Sequence, residues 1–170
     1  MAIDDCKHSF FDLATTVLPE HMKRMKSAMQ VPVDCAIFAK AGNGPRTLAK
    51  ELGLNGDFSG AYVIISDGTP IYVGISRGVL ARLVQHMRGK THFDASLAYR
   101  MARKKMPTSL QRGEAMANPA FKSVFDSCQS FLKATRVAFV KIQNDLEIYT
   151  FEAYCALELN TCEWNTFRTH

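Results

Sequence analysis

Between Arg77 and Arg112 the chain carries nine Lys and Arg against a single acid, Asp94, while the remainder is mildly acidic. A basic excess confined to one stretch is what phosphate neutralisation needs, because Lys and Arg that displace condensed counterions supply most non-specific nucleic-acid affinity. A solvated helical surface would produce the same run. Arg77, Arg88, Lys90, Arg100, Arg103, Lys104, Lys105 and Arg112 are therefore the candidate phosphate contacts. Arg82 and His86, four residues apart, share one helix face. Glu152 falls on a helical stripe with Ile148, Tyr149, Cys155, Ala156 and Leu159, whereas Glu147 and Glu158 fall with Phe151 and Tyr154. A carboxylate on a packed stripe must find a cation or become neutral. A divalent metal meets that need, and so does an ion pair with a buried Arg or Lys such as Arg82.

These residues must be positioned by the elements around them. Ala61-Tyr-Val-Ile-Ile-Ser66 and Pro70-Ile-Tyr-Val-Gly-Ile75 are β-branched and aromatic runs around Asp67-Gly68, which predicts an antiparallel hairpin. Gly78 to Met87 reads as a helix with Val79, Leu80, Leu83, Val84 and Met87 on its apolar side. Phe93 to about Lys105 reads as a second helix, with Phe93, Leu97 and Met101 inward. Asn118-Pro119 gives an N-cap followed by proline for a helix carrying Phe121, Val124, Phe125, Cys128, Phe131 and Leu132 inward. Thr135 to Lys141 reads as a third strand, and about Leu146 to Leu159 as a deeply packed helix.

Upstream, Phe10 to Leu18 has helical spacing, and Pro19 is expected to start a second helix with Met22, Met25 and Met29 on one face. Cys35 to Ala39 is expected as a short strand, Gly42 to Pro45 as a turn, and Arg46 to Leu52 as a helix stopped by Gly53. The Gly-rich turn lacks the Gly-Lys-Ser/Thr ending of a phosphate-binding P-loop. Five scattered cysteines without Cys-x-x-Cys spacing indicate buried thiols, with neither a disulfide framework nor a zinc site. The apolar runs are too short to span a membrane, and the N-terminus lacks signal-peptide character, so a cytoplasmic location and no membrane partner are expected.

The two tyrosines impose a condition of parity. Side chains alternate across a strand, so a two-residue turn at Asp67-Gly68 would put Tyr62 opposite Val73 and send the phenols to opposite faces. A three-residue loop places Ile64 opposite Tyr72 and both phenols on one face. An odd loop, with Gly68 or Thr69 at a bulge, is the expectation.

Gly60-Ala-Tyr62 followed by Tyr72-Val-Gly74, with Arg82, His86, Glu152 and Asn165 downstream in order, resembles the GIY-YIG nucleases across about Phe58 to Phe167. Both family isoleucines are replaced here, by Ala61 and Val73. The resemblance implies an α/β (α+β) fold with a small three-stranded antiparallel sheet flanked by helices, and a metal-dependent DNA endonuclease. It implies Glu152 as the ligand of Mg²⁺, with Mn²⁺ as a substitute, Arg82 as the donor to the phosphate oxygens, Tyr62 as the base for the attacking water and His86 as its relay. Tyr72 would orient water or phosphate, and Asn165 would position Glu152 or the substrate, with Asn160 as its competitor. Residues 58–170 would be the nuclease domain and 1–57 a helical extension. A non-cleaving nucleic-acid-binding module on the same fold is the alternative, and oligomerisation is left open.

Overall fold

The computed structural model describes residues 3–167. It is a mixed α/β protein with one four-stranded antiparallel sheet flanked by helices. The chain forms two compact units: residues up to Val33, Phe58–Val79 and from Arg136 onward make the first, and Asp34–Asp57 with Leu80–Thr135 make the second. Residues 1–57 are thus divided between the two units.

In the first unit a helical run passes from α1 (Phe10–Asp12) through a π-helical turn (Leu13–Val17) into α2 (Leu18–Ala28). Pro19 does not start a separate helix. Its ring would collide with the carbonyl four residues back in a regular α-helix, and the wider turn, closed by Leu18 N–H to Leu13 O, relieves that collision. Ser9 and Asp12 close a capping box at the start.

The sheet runs in the order β1 (Val33–Asp34), β4 (Arg136–Lys141), β2 (Gly60–Ser66), β3 (Thr69–Ser76). It has four strands where three were expected, because the segment around Cys35 behaves differently from its apolar pattern. The strand stops at Asp34, and Ala36–Ala39 is a one-turn helix, α3. Against one face of the sheet lie Leu13, Leu18, Met22 and Met25 from the N-terminal helical run and Ile148, Phe151 and Cys155 from α9 (Asp145–Glu158). They pack on Ala61, Val63, Ile65, Val73, Ala138 and Val140. The methionine stripe is core, as its spacing indicates, whereas Phe10 and Phe11 are 78% and 73% exposed. Asn144 caps α9 by accepting from the Glu147 N–H at 3.1 Å.

The second unit is helical: α4 (Pro45–Glu51), most of α5 (Val79–Arg88), α6 (Ser96–Lys105), α7 (Arg112–Ala117) and α8 (Pro119–Lys133), together with α3. Asp57 starts α5 by accepting from the Leu80 and Ala81 N–H groups at 2.8 and 3.1 Å. Asn118 caps α8 through the Ala120 and Phe121 N–H groups. Phe121, Phe125, Cys128 and Leu132 are buried, while Phe131 is exposed. Phe93 is also corrected: it precedes the helix, which begins at Ser96, and is 70% exposed. Cys6, Cys35, Cys128 and Cys155 are buried thiols, and Cys162 is exposed. Burial holds the Cys35 and Cys155 thiols up at about 11 and about 12, which keeps both protonated and unreactive at neutral pH.

Candidate active site

The hairpin reaches the required parity by a different route from the one expected. Ser66 pairs with Thr69, so the turn is the tight two-residue Asp67-Gly68, with φ of 48° and 78°. That left-handed pair suits the twist of the strands, which is why Asp-Gly occurs there. The register then shifts: Ile65 faces Pro70 but Ile64 faces Tyr72, which leaves Ile71 as the extra residue of a bulge. The odd residue lies in the strand and the loop is even. Tyr62 and Tyr72 consequently share a face, with ring centroids 6.2 Å apart at 57°.

Both glycines of the tripeptides are explained by close approach. Gly74 lies opposite Tyr62, and a Cβ built there would sit 2.3 Å from the phenol Cζ and 2.4 Å from its oxygen. The Tyr62 ring therefore rests on the bare backbone of Gly74. Gly60 meets β4, where a Cβ would fall 2.0 Å from the Val140 carbonyl oxygen. Tyr62 is almost completely buried and Tyr72 is 9% exposed.

Asn165 takes its place at the outer edge of the same hairpin. Its Oδ1 accepts from the Val73 N–H at 2.9 Å and its Nδ2–H donates to the Val73 carbonyl at 2.8 Å. Since β3 ends the sheet, these backbone groups would otherwise form an open edge. One buried amide thus acts as a neighbouring strand between Tyr72 and Gly74. Its oxygen and nitrogen are both occupied by this clamp, so the structure gives Asn165 a scaffold position.

Glu152 lies on α9 and is partly buried. The stripe used to select it is rotated in the structure: Phe151 is fully buried with Ile148 and Cys155, and Tyr149 is 65% exposed. Glu152 therefore flanks the packed face. That face meets the Val63 and Val73 side of the sheet, opposite the side of Tyr62 and Tyr72.

Glu147 meets two histidines. Its Oε2 is 2.9 Å from His21 Nε2, its Oε1 is 3.7 Å from His8 Nε2, and Arg24 Nη1 reaches His21 Nδ1 at 3.3 Å. With the Arg24 donor on Nδ1, His21 in its neutral form carries the proton on Nε2 and donates it to Glu147. The cluster lines a polar cavity of about 560 Å³. No spacing in the sequence signals it, because His8, His21 and Glu147 come from distant parts of the chain.

In the second unit, Arg82 and His86 stand one turn apart on α5. Arg82 is fixed by its own surroundings: Nη1–H donates to the Asp94 carbonyl at 2.9 Å and to Gln85 Oε1 at 3.0 Å, and Nη2–H donates to Ser96 Oγ at 2.6 Å. His86 is fully buried. Burial, reinforced by the Arg82 and Arg100 charges, pushes its imidazole down to about 3. It stays neutral and binds a proton weakly, which counts against service as a relay.

Several of the candidate phosphate contacts are already engaged. Arg77 pairs with Asp145, whose carboxylate raises the guanidinium pKa. Arg88 donates to the Lys40 and Asn43 carbonyls at 3.1 and 2.9 Å, and Arg103 donates to the Leu110 carbonyl at 3.1 Å. Lys90, Arg100, Lys104, Lys105 and Arg112 are exposed. Among the described residues, no group of three or more His, Cys, Asp and Glu forms a metal cage, and no helix is long and apolar enough to cross a membrane. No family model, curated protein or solved structure matches the chain.

Proposed function

We propose that the protein is a metal-dependent DNA endonuclease of the GIY-YIG type. The observation that carries this reading is the hairpin register: a tight turn and a compensating bulge at Ile71 bring Tyr62 and Tyr72 onto one face, with Tyr62 over Gly74. A bulge that re-aims a side chain is a device of functional sites, and packing alone would not require two phenols here.

Glu152 would hold Mg²⁺, or Mn²⁺ in its place. A single carboxylate suffices for a hard cation that keeps several waters and takes further oxygens from a substrate phosphate. Such a cation supplies charge stabilisation at the phosphate and leaving oxygen. Tyr62 would take the proton of the attacking water, and Tyr72 would hold the water or phosphate by hydrogen bonding, which requires the phosphate to reach both Glu152 and the face of the sheet opposite the one α9 covers. A phenol titrates near 10 in water, so this work requires positive charge close by. Asn165 would keep the hairpin edge closed. The exposed cations of α6 would neutralise backbone phosphates.

The test is Mg²⁺-dependent cleavage of supercoiled, linear and single-stranded DNA by the wild type, Glu152→Ala and Tyr62→Phe. Cleavage by the wild type that is lost in both variants is expected. Equal cleavage by wild type and Glu152→Ala would refute the metal assignment. Salt-sensitive DNA binding without cleavage in any of the three would favour a binding module.

A further inference from the structure

Tyr99 has a hydroxyl that the second unit does not satisfy. The residue is 8% exposed, its ring is held by His92 at 5.6 Å and Phe121 at 5.5 Å, and its buried oxygen has no hydrogen-bond partner among the described residues. A buried tyrosine hydroxyl normally finds a partner, because leaving it dry forfeits its hydration without return. Tyr99 also lines a cavity of about 320 Å³ whose other walls are Arg103, Ser109, Leu110, Gln111 and Arg112.

Local structure places each wall. Tyr99 and Arg103 are one turn apart on α6 and so share a face. The Arg103 hydrogen bond to the Leu110 carbonyl, at 3.1 Å, holds the guanidinium against the connecting loop. That loop is organised by Thr108, which accepts from the Leu110 N–H at 3.2 Å, and by the capping box of Gln111 with Glu114. Glu114 spends an oxygen on the Gln111 N–H at 3.0 Å, and no Asp or Glu lines the cavity.

Tyr99, Arg103, Ser109 and Arg112 line one cavity, with no carboxylate among its described walls. Such a set favours an anion with several acceptor oxygens, and the Arg fork suits phosphate in particular. We propose that the Tyr99–Arg103–Arg112 cavity is a subsite for one phosphate group. Its chemistry stands on the cavity alone; the nuclease reading bears only on the source, making it a phosphate of the nucleic-acid backbone. Phe93 packs against His92, with ring centroids 4.0 Å apart, and its exposed ring would offer an unpaired base a stacking surface.

Thermal unfolding of the full chain in inorganic phosphate, against chloride at matched ionic strength, tests the subsite. Phosphate should raise the wild-type Tm by a few degrees, since a ligand bound only by the folded state stabilises it. Tyr99→Phe should unfold at the same or a higher temperature than the wild type in chloride and lose most of the phosphate response. The double variant Arg103→Gln with Arg112→Gln should lose that response as well. No wild-type shift, or equal shifts in all three proteins, would overturn the proposal.

A second arm identifies the source through anisotropy of a labelled single-stranded oligonucleotide over a salt series. If the backbone supplies the phosphate, the double variant should show a salt slope shallower by about one for each arginine that no longer neutralises a phosphate. Phosphate stabilisation combined with an unchanged oligonucleotide slope supports the subsite and assigns it to free phosphate or a monoester. Cleavage by wild type and Glu152→Ala is read separately, so the nuclease reading can fail while the subsite stands.

Discussion

Replacing His86 by glutamine should remove an acid sensitivity built into the second unit. The imidazole is fully buried between elements that also carry Arg82 and Arg100, and it falls from the ordinary 6.5 to about 3. In the unfolded chain the same ring binds a proton near 6.5. The unfolded state therefore takes up a proton between those two values while the folded state refuses it. The stability contributed by neutral His86 is complete above pH 6.5 and is lost as pH falls toward 3. At about 1.36 kcal/mol per unit, the loss reaches about 2.7 kcal/mol at pH 4.5 and about 4 kcal/mol near pH 3. Those amounts are large beside the roughly 5–15 kcal/mol that holds a domain folded.

The assay is urea unfolding at pH 7.5 and pH 4.5 for wild type and His86→Gln. Glutamine retains polarity and similar bulk without titrating, and the other histidines are common to both proteins. The drop in unfolding free energy between the two pH values should be smaller in the variant by about 2–3 kcal/mol. Equal drops would refute the reasoning, because they would mean that His86 binds its proton as readily in the folded protein as in the unfolded one.

Gly74→Ala should destabilise by about 1–3 kcal/mol through overpacking against Tyr62 and should cut cleavage more than Gly68→Ala does; comparable losses of activity would separate the Tyr62 seat from function. Asn165→Ala strands the Val73 N–H and carbonyl and should cost about 1–3 kcal/mol in urea unfolding, with Asn165→Asp recovering only the accepting half. Phe93→Ala should leave Tm nearly unchanged, since the ring is exposed, while weakening single-stranded DNA binding in anisotropy; unchanged binding would remove the stacking role.

The hairpin, α8 and β4 were legible from a clean hydrophobic period, with Asp67-Gly68 and Asn118-Pro119 as boundaries, and α9, apolar on most sides, from its length and the Asn144 cap. Parity at Tyr72 was legible too, but its mechanism was not: an odd loop and an even loop with an Ile71 bulge give the same pairing beyond the bulge, and no residue type forces the choice. Around Cys35 a short apolar run served a helical turn, an ambiguity that period cannot resolve below about one turn. Phe93 and Phe131 show that an aromatic side chain at helical spacing can still face outward. Choosing Glu152 by its stripe depended on an angular origin that Phe151 shifts. Glu147, joined to His8 and His21 by folding, could not be singled out from any local pattern.

The bulge at Ile71 divides the hairpin into a variable tip and a guarded stem. Residues 65–70 form a cap whose pairing is reset before it reaches Tyr72, so changes of sequence within the turn need not disturb the phenols. Removing Ile71 alone would leave Tyr72 opposite Ile64, because the register already passes over that residue. Smoothing the bulge while keeping every residue would instead put Ile71 opposite Ile64 and Tyr72 opposite Val63, carrying the phenol to the other surface of the sheet. The side of β3 on which Tyr72 stands is thus held by one unpaired aliphatic residue.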